Sequence, residues 1–73
     1  MEVNQPKDSE MTEREVQVLR LVAQGLTNQQ VACKLNITER TIEYHLSEIF
    51  QRLEVSSRTA AVLKAEKMKL LDV

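Results

Sequence analysis

The chain has 73 residues, a formal net charge of −1 at pH 7, and one Gly, one Pro, one Cys and one His. A domain of this size buries only about 60% of the surface of its unfolded chain, so its core leaves little room for a substrate cavity. One His and one Cys cannot supply the three or four ligands of a zinc site. We therefore expect no enzyme activity, metal, cofactor or small-molecule ligand.

A single cysteine rules out an internal disulfide, and no apolar run approaches the roughly 20 residues that span a bilayer. These features predict a cytoplasmic protein that does not enter membranes. Residues 1–15 contain two basic and five acidic residues, a net charge of −3, whereas the remainder contains eight basic and six acidic residues, a net charge of +2. The charge balance thus neither favours nor excludes a nucleic-acid partner.

The first ten residues are polar and lack periodicity, which predicts a flexible leader or linker stub over 1–10 and one domain over 11–73. Thr12 and Glu15 have the spacing of a capping box, in which each side chain bonds to the other residue's backbone N–H. Gly25 suits the left-handed residue that ends a helix. The predicted apolar face between these signals comprises Val16, Leu19, Val22 and Ala23.

Two more helices follow at once. Thr27 and Gln30 repeat the capping pattern, and Asn36 suits a left-handed helix end. We expect Ile37 to enter the core between the helices. Thr38 begins a longer helix, over about 39–54, whose apolar residues are Ile42, Leu46, Ile49, Phe50 and Leu53. Its opposite face holds Arg40, Tyr44, Ser47, Glu48 and Gln51.

Ser56 and Ser57 precede a fourth helix that contains Ala60, Ala61, Val62, Leu63 and Ala65. The pattern predicts an all-α, four-helix (tetrahelical) domain. A helix of about eight residues, a turn of about three and a longer helix form a helix-turn-helix arrangement, in which the second helix of the pair enters the DNA major groove. That groove is about 12 Å wide and admits one helix.

Four segments of the chain resemble the LuxR/NarL/GerE-type helix-turn-helix domain of bacterial transcription regulators. They are 11–19 (MTEREVQVL), 26–32 (LTNQQVA), 37–45 (ITERTIEYH) and 53–59 (LEVSSRT). The resemblance covers roughly residues 11–71. It implies sequence-specific binding to double-stranded DNA by a dimer on inverted half-sites, with RNA polymerase as a further candidate partner.

The resemblance also assigns roles to individual residues. Base contacts fall on Glu43, Tyr44 and Ser47, and phosphate contacts fall on Asn28, Gln29, Thr38, Thr41 and His45. Arg40 and Arg52 join the phosphate set, with an ordinary surface ion pair as the alternative for each, and we expect Arg58 to organise the turn into the fourth helix. Dimer contacts are expected at Ala60, Leu63 and Lys67 of the fourth helix.

The chain departs from the family pattern at several positions. Glu43 stands where many members have Lys, and Gln29 stands where a basic residue is common. Glu54 replaces a frequent Gly, and Met68-Lys69 replaces a pair such as Arg-Gly. A carboxylate is repelled by phosphates, yet it accepts a hydrogen bond from the N4 amino group of cytosine. Glu43 thus predicts either an unusual operator or weak binding.

Two other functions are also compatible with the sequence. The fourth region of a sigma factor has a similar order of helices, and a helix-turn-helix module that has lost DNA binding would serve protein interaction or dimerisation. Glu43, Gln29 and the net charge of −1 support the second of these. Cys33 is expected to be a small packed residue and not a redox sensor.

Overall fold

The computed structural model describes residues 11–71, and the predicted leader over 1–10 lies outside them. Four helices follow one another: α1 (Glu13–Ala23), α2 (Asn28–Leu35), α3 (Glu39–Leu53) and α4 (Arg58–Lys67). All regular secondary structure within 11–71 is helical, which confirms the all-α, four-helix prediction.

Each helix begins with a hydroxyl side chain. Thr12, Thr27, Thr38 and Ser57 have extended backbones, and each side-chain oxygen accepts from the backbone N–H three residues later at 3.1 to 3.2 Å. Each cap therefore satisfies one of the amide donors that a helix start leaves without an intrahelical acceptor. Glu15 and Gln30 complete the two predicted capping boxes by accepting from the backbone N–H of Thr12 and Thr27 at 3.0 and 2.9 Å.

Each helix is also followed by a residue with positive φ. These are Gly25 (93°), Asn36 (60°), Glu54 (58°) and Lys69 (60°). The backbone N–H of the next residue donates to the carbonyl five residues earlier, at 2.9 to 3.4 Å, in all four cases. This hydrogen bond is typical of a Schellman helix end. The third helix therefore ends at Leu53 instead of about 54, because Glu54 occupies the left-handed position.

The apolar residue after each left-handed residue turns back toward the core. Leu26, Ile37, Val55 and Leu70 are all partly buried against it, as expected for Ile37. The fully or nearly fully buried apolar residues of the core are Val18, Leu19, Val22, Val31, Ala32, Ile42, Leu46, Ile49, Leu53, Ala61, Ala65 and Leu71.

The buried face of α1 differs from the predicted one. Val18 is completely buried, whereas Val16 and Ala23 are only half-buried, and Glu15 is buried although it is charged. The buried residues of α1 differ from the predicted set because this helix packs against all three other helices. The expectation that Cys33 is packed was wrong: its position on α2 lies outside the packed face, and the side chain is exposed.

Candidate nucleic-acid interface

The outer face of α3 forms an exposed ridge next to the turn between α2 and α3. Glu43, Tyr44 and Ser47 are all exposed, on the side of the helix opposite to the buried Ile42 and Ile49. Tyr44 is 62% exposed, the highest value among the large apolar side chains. The three predicted base-contact residues therefore share one accessible face of the helix.

The ring of Tyr44 packs against the next side chain along the helix. The ring centroids of Tyr44 and His45 lie 5.8 Å apart, with their planes inclined by 55°. His45 is half-buried, so it stands at the edge between the core and the exposed ridge. This contact limits the orientations of an otherwise exposed aromatic ring.

Two hydroxyl groups meet at the start of α3. Thr38 Oγ1 accepts from the backbone N–H of Thr41 at 3.1 Å, and the two side-chain hydroxyls lie 2.8 Å apart. The bond between the hydroxyls uses one of their two hydrogens, so the other is available to an acceptor outside the helix. The start of α3 also presents uncapped backbone N–H groups, where an anion is stabilised.

The start of α2 has a similar composition. The capping box uses the N–H groups of Thr27 and Gln30, and within residues 11–71 the N–H groups of Asn28 and Gln29 have no recorded acceptor. The side-chain oxygen of Asn28 accepts from Arg58 Nη1. Neutral donors from two helix starts thus flank the α3 ridge, and among the predicted phosphate-contact residues at these starts only Arg40 carries a permanent positive charge.

Arg58 does not act where we expected. It is the first residue of α4, yet its hydrogen bonds reach the connection between α1 and α2: Nη1 donates to Asn28 Oδ1, and Nη2 donates to the carbonyl of Leu26 at 2.8 Å. The contact spans about 30 residues of sequence, and no local signal reveals such a pair. Asn28, Arg58, Glu43 and Ser47 line one groove between α2, α3 and the start of α4.

Arg52 was expected to contact a DNA phosphate, but its side chain is directed to Glu15. Its Nε lies 3.2 and 3.3 Å from the two carboxylate oxygens of Glu15, and the two side chains are 19% and 5% exposed. This pair joins the last turn of α3 to the first turn of α1. Because the guanidinium is engaged there, we leave Arg52 out of the proposed DNA-contacting set.

The exposed part of α4 bears an apolar surface. Leu63 is 57% exposed and Met68 is 43% exposed, and they border a shallow groove with Val55, Ala60, Lys64 and Lys67. The three predicted dimer residues, Ala60, Leu63 and Lys67, thus lie on one side of the helix. No residue within 11–71 covers the groove.

Residues 11–71 contain neither a metal-holding cluster nor a membrane-spanning helix. No cluster of three or more His, Cys, Asp or Glu side chains is arranged to hold a metal ion. No helix in this part of the chain is long and apolar enough to cross a membrane.

A short helix, a three-residue turn and a longer helix with a polar outer face define a helix-turn-helix domain. The family model for bacterial regulatory proteins of the luxR family matches residues 9–65. The chain therefore belongs to the luxR family, as the sequence motifs predicted.

Individual relatives agree with this assignment. The chain is 43% identical over 62 residues to the response regulator protein VraR of Staphylococcus aureus strain Mu3, covering 85% of this chain and 30% of that protein. It is 38% identical over 64 residues to the HTH-type transcriptional regulator AlkS of Ectopseudomonas oleovorans, covering 88% of this chain and 7% of that protein. The chain thus spans less than a third of either relative.

Two solved structures have the same fold. The response regulator ChrA of a heme-sensing two-component system superposes with a TM-score of 0.84 at 37% identity, covering 96% of this chain and 33% of that one. The transcription factor GerE superposes with a TM-score of 0.81 at 29% identity, covering 85% of this chain and 92% of that one. The GerE chain is therefore almost entirely a domain of this kind.

Proposed function

We propose that the chain binds double-stranded DNA in a sequence-specific manner, as part of a bacterial transcription regulator. The observation that carries the proposal is the exposed ridge of α3, where Glu43, Tyr44 and Ser47 follow a three-residue turn. A helix placed in this way fits the major groove and reaches base edges with its exposed side chains. Because bacterial DNA lies in the cytoplasm, the proposal also implies that location.

The phosphate contacts are assigned to the two helix starts beside this ridge. Thr38 and Thr41 share one hydroxyl hydrogen bond and retain a second donor, and Arg40 lies between them in sequence. Asn28 and Gln29 present backbone N–H groups at the start of α2, and His45 lies at the border of the ridge. Donors of this kind fix the register of a protein on DNA without reading sequence.

Dimer formation is assigned to α4. The groove beside Leu63 and Met68 exposes their apolar side chains next to Lys64, Glu66 and Lys67, and it is open within residues 11–71. Pairing of two α4 helices would cover that surface in both copies and place two α3 ridges on inverted half-sites, about one helical turn of DNA apart. Contact with RNA polymerase stays a prediction from the family resemblance.

The test is selection of bound duplexes from a random DNA pool at about 50 mM salt, where phosphate contacts are weakly screened. We expect enrichment of an inverted repeat, with a cytosine preference that is lost in Glu43→Ala and kept in the control Gln17→Ala on α1. No enrichment by a chain that is folded by circular dichroism would overturn sequence-specific recognition. That result would favour the interaction-module reading.

A further inference from the structure

Arg58 forms a bridge from α4 to the start of α2. Its two terminal nitrogens bond to Asn28 Oδ1 and to the carbonyl of Leu26, the latter at 2.8 Å. A guanidinium has a planar, rigid arrangement of donors, so two bonds to neighbouring acceptors fix their relative position. The bridge therefore fixes both the Asn28 side chain and the backbone just before α2.

This bridge determines how the Asn28 amide is oriented. Arg58 has only donors, so the oxygen of Asn28 must face it and the amide nitrogen must face away. Within residues 11–71 this nitrogen has no recorded acceptor. Asn28 therefore presents two amide hydrogens to its surroundings.

The surroundings of Asn28 include the α3 ridge. Asn28 and Arg58 line the same groove as Glu43 and Ser47, the residues assigned to base contact. The backbone N–H groups of Asn28 and Gln29 have no recorded acceptor in the described residues either. A phosphate next to the reading surface would thus meet backbone donors together with the Asn28 amide.

We propose that Arg58 is a positioning residue for DNA binding: it holds the Asn28 amide so that its hydrogens point to a backbone phosphate beside the α3 ridge. The inference rests on the proposed function. Arg58 acts through Asn28 and contacts no base. Its side chain forms part of the groove wall, is half-buried and is already bonded twice.

The test is a double-mutant cycle on the duplex selected above, with affinity measured in the 73-residue chain. We expect Arg58→Gln to lower the affinity for DNA about three- to tenfold, which is the value of one hydrogen bond. When Asn28 has already been changed to Ala, the same substitution should lower the affinity by less than about twofold. Equal losses in both backgrounds would show that Arg58 does not act through Asn28 and would overturn the inference.

A second variant keeps the test informative if Arg58→Gln fails to fold. Asn28→Asp retains an oxygen for Arg58 and replaces the amide donor with a carboxylate. We expect a melting temperature at or above that of the unchanged protein and an affinity at least about tenfold lower, because the carboxylate faces phosphate. Unchanged affinity in Asn28→Asp would equally overturn the inference.

Substitution of single phosphates by methylphosphonate locates the contact. In the unchanged protein, methylphosphonate at the phosphate contacted by Asn28 should lower the affinity in each half-site. In Asn28→Ala or Arg58→Gln the same substitution should have no further effect, whereas phosphates near Thr38 should remain sensitive to it. A uniform loss of sensitivity at every phosphate would show a merely structural role.

The failure of the two proposals can be distinguished. Failure of the pool selection would refute the proposed function. An enriched duplex on which the effects of Arg58→Gln and Asn28→Ala are additive would refute only the role of Arg58.

Discussion

Glu15 and Arg52 connect the beginning of α1 to the end of α3 through a partly buried ion pair with Nε to oxygen distances of 3.2 and 3.3 Å. The same carboxylate accepts from the backbone N–H of Thr12 at 3.0 Å, so one side chain both caps α1 and joins it to α3. Loss of this carboxylate would therefore remove a helix cap and an ion pair between two helices at once.

We predict that Glu15→Gln lowers the free energy of unfolding by about 1 to 2 kcal/mol, since the amide still completes the capping box but no longer offers Arg52 a charged acceptor. Chemical denaturation measures this value. Glu13→Gln, an exposed change in the same turn, should stay within about 0.5 kcal/mol of the unchanged protein. Equal effects of the two variants would contradict a stabilising pair.

Two of the residues with a left-handed backbone, Glu54 and Lys69, are neither Gly nor Asn, so replacing them by Gly should stabilise the protein. Glu54 and Lys69 have φ values of 58° and 60°, a conformation that costs a residue with a Cβ about 1 kcal/mol or more. We predict that Glu54→Gly and Lys69→Gly each raise the free energy of unfolding by about 0.5 to 1 kcal/mol.

A glycine in the middle of a helix provides the control for these two changes. Gln17 is exposed on α1, so Gln17→Gly should lower the free energy of unfolding by about 1 kcal/mol through the loss of helix propensity. Destabilisation by Glu54→Gly would mean that the Glu54 side chain makes a contact that outweighs its backbone strain.

The dependence of DNA binding on salt should be shallow. Arg40 is the one permanent cation assigned to direct phosphate contact, and the charge of Arg58 lies in the wall of the adjacent groove, so the two charges correspond to one or two neutralised phosphates per domain. We predict a slope of log affinity against log salt of about −2 to −4 for two domains on DNA. Glu43→Lys should make this slope steeper by about 1 per domain and reduce the preference for cytosine.

Fluorescence anisotropy over a series of salt concentrations measures both slopes. Glu43→Gln provides a neutral control with nearly the same shape, and its slope should fall between those of the other two proteins. An unchanged slope in Glu43→Lys would place position 43 away from the DNA backbone.

Leu63 provides a test of the assigned dimer surface. Because it is 57% exposed, we predict that Leu63→Lys changes the free energy of unfolding by less than about 0.5 kcal/mol. The variant should nevertheless lose cooperative binding to an inverted repeat while keeping binding to a single half-site. Gel-shift titration separates the two complexes, and the exposed Thr59→Lys on the same helix is the control. Retained cooperativity in Leu63→Lys would move the dimer surface elsewhere.

Local signals in the sequence predicted the helices well. Thr12, Thr27 and Thr38 are caps because their hydroxyls serve donors only three residues away, and Gly25 and Asn36 end helices through their own backbone preferences. Such signals depend on neighbours in the chain, so a single sequence reveals them.

Contacts between distant residues were the part that could not be predicted. Glu15 has the helical spacing of the buried residues of α1, but a charged residue is not expected to be buried without a partner. Its partner Arg52 lies 37 positions away in the sequence, so the pair could not be recognised. The bonds from Arg58 to Asn28 and Leu26 depend likewise on how α4 packs. The roles of Glu43 and Leu63 stay predictions, because both depend on the surface of a partner molecule and not on contacts within the chain.

The short connections between the helices also have a consequence for folding kinetics. The connections comprise residues 24–27, 36–38 and 54–57, and each helix end is closed by hydrogen bonds within a few residues. Helical domains dominated by such local contacts fold within microseconds to milliseconds. The protein should therefore return to its native state within milliseconds of a transient opening. Slow steps in its encounter with DNA would then arise from assembly of two copies and not from folding of either one.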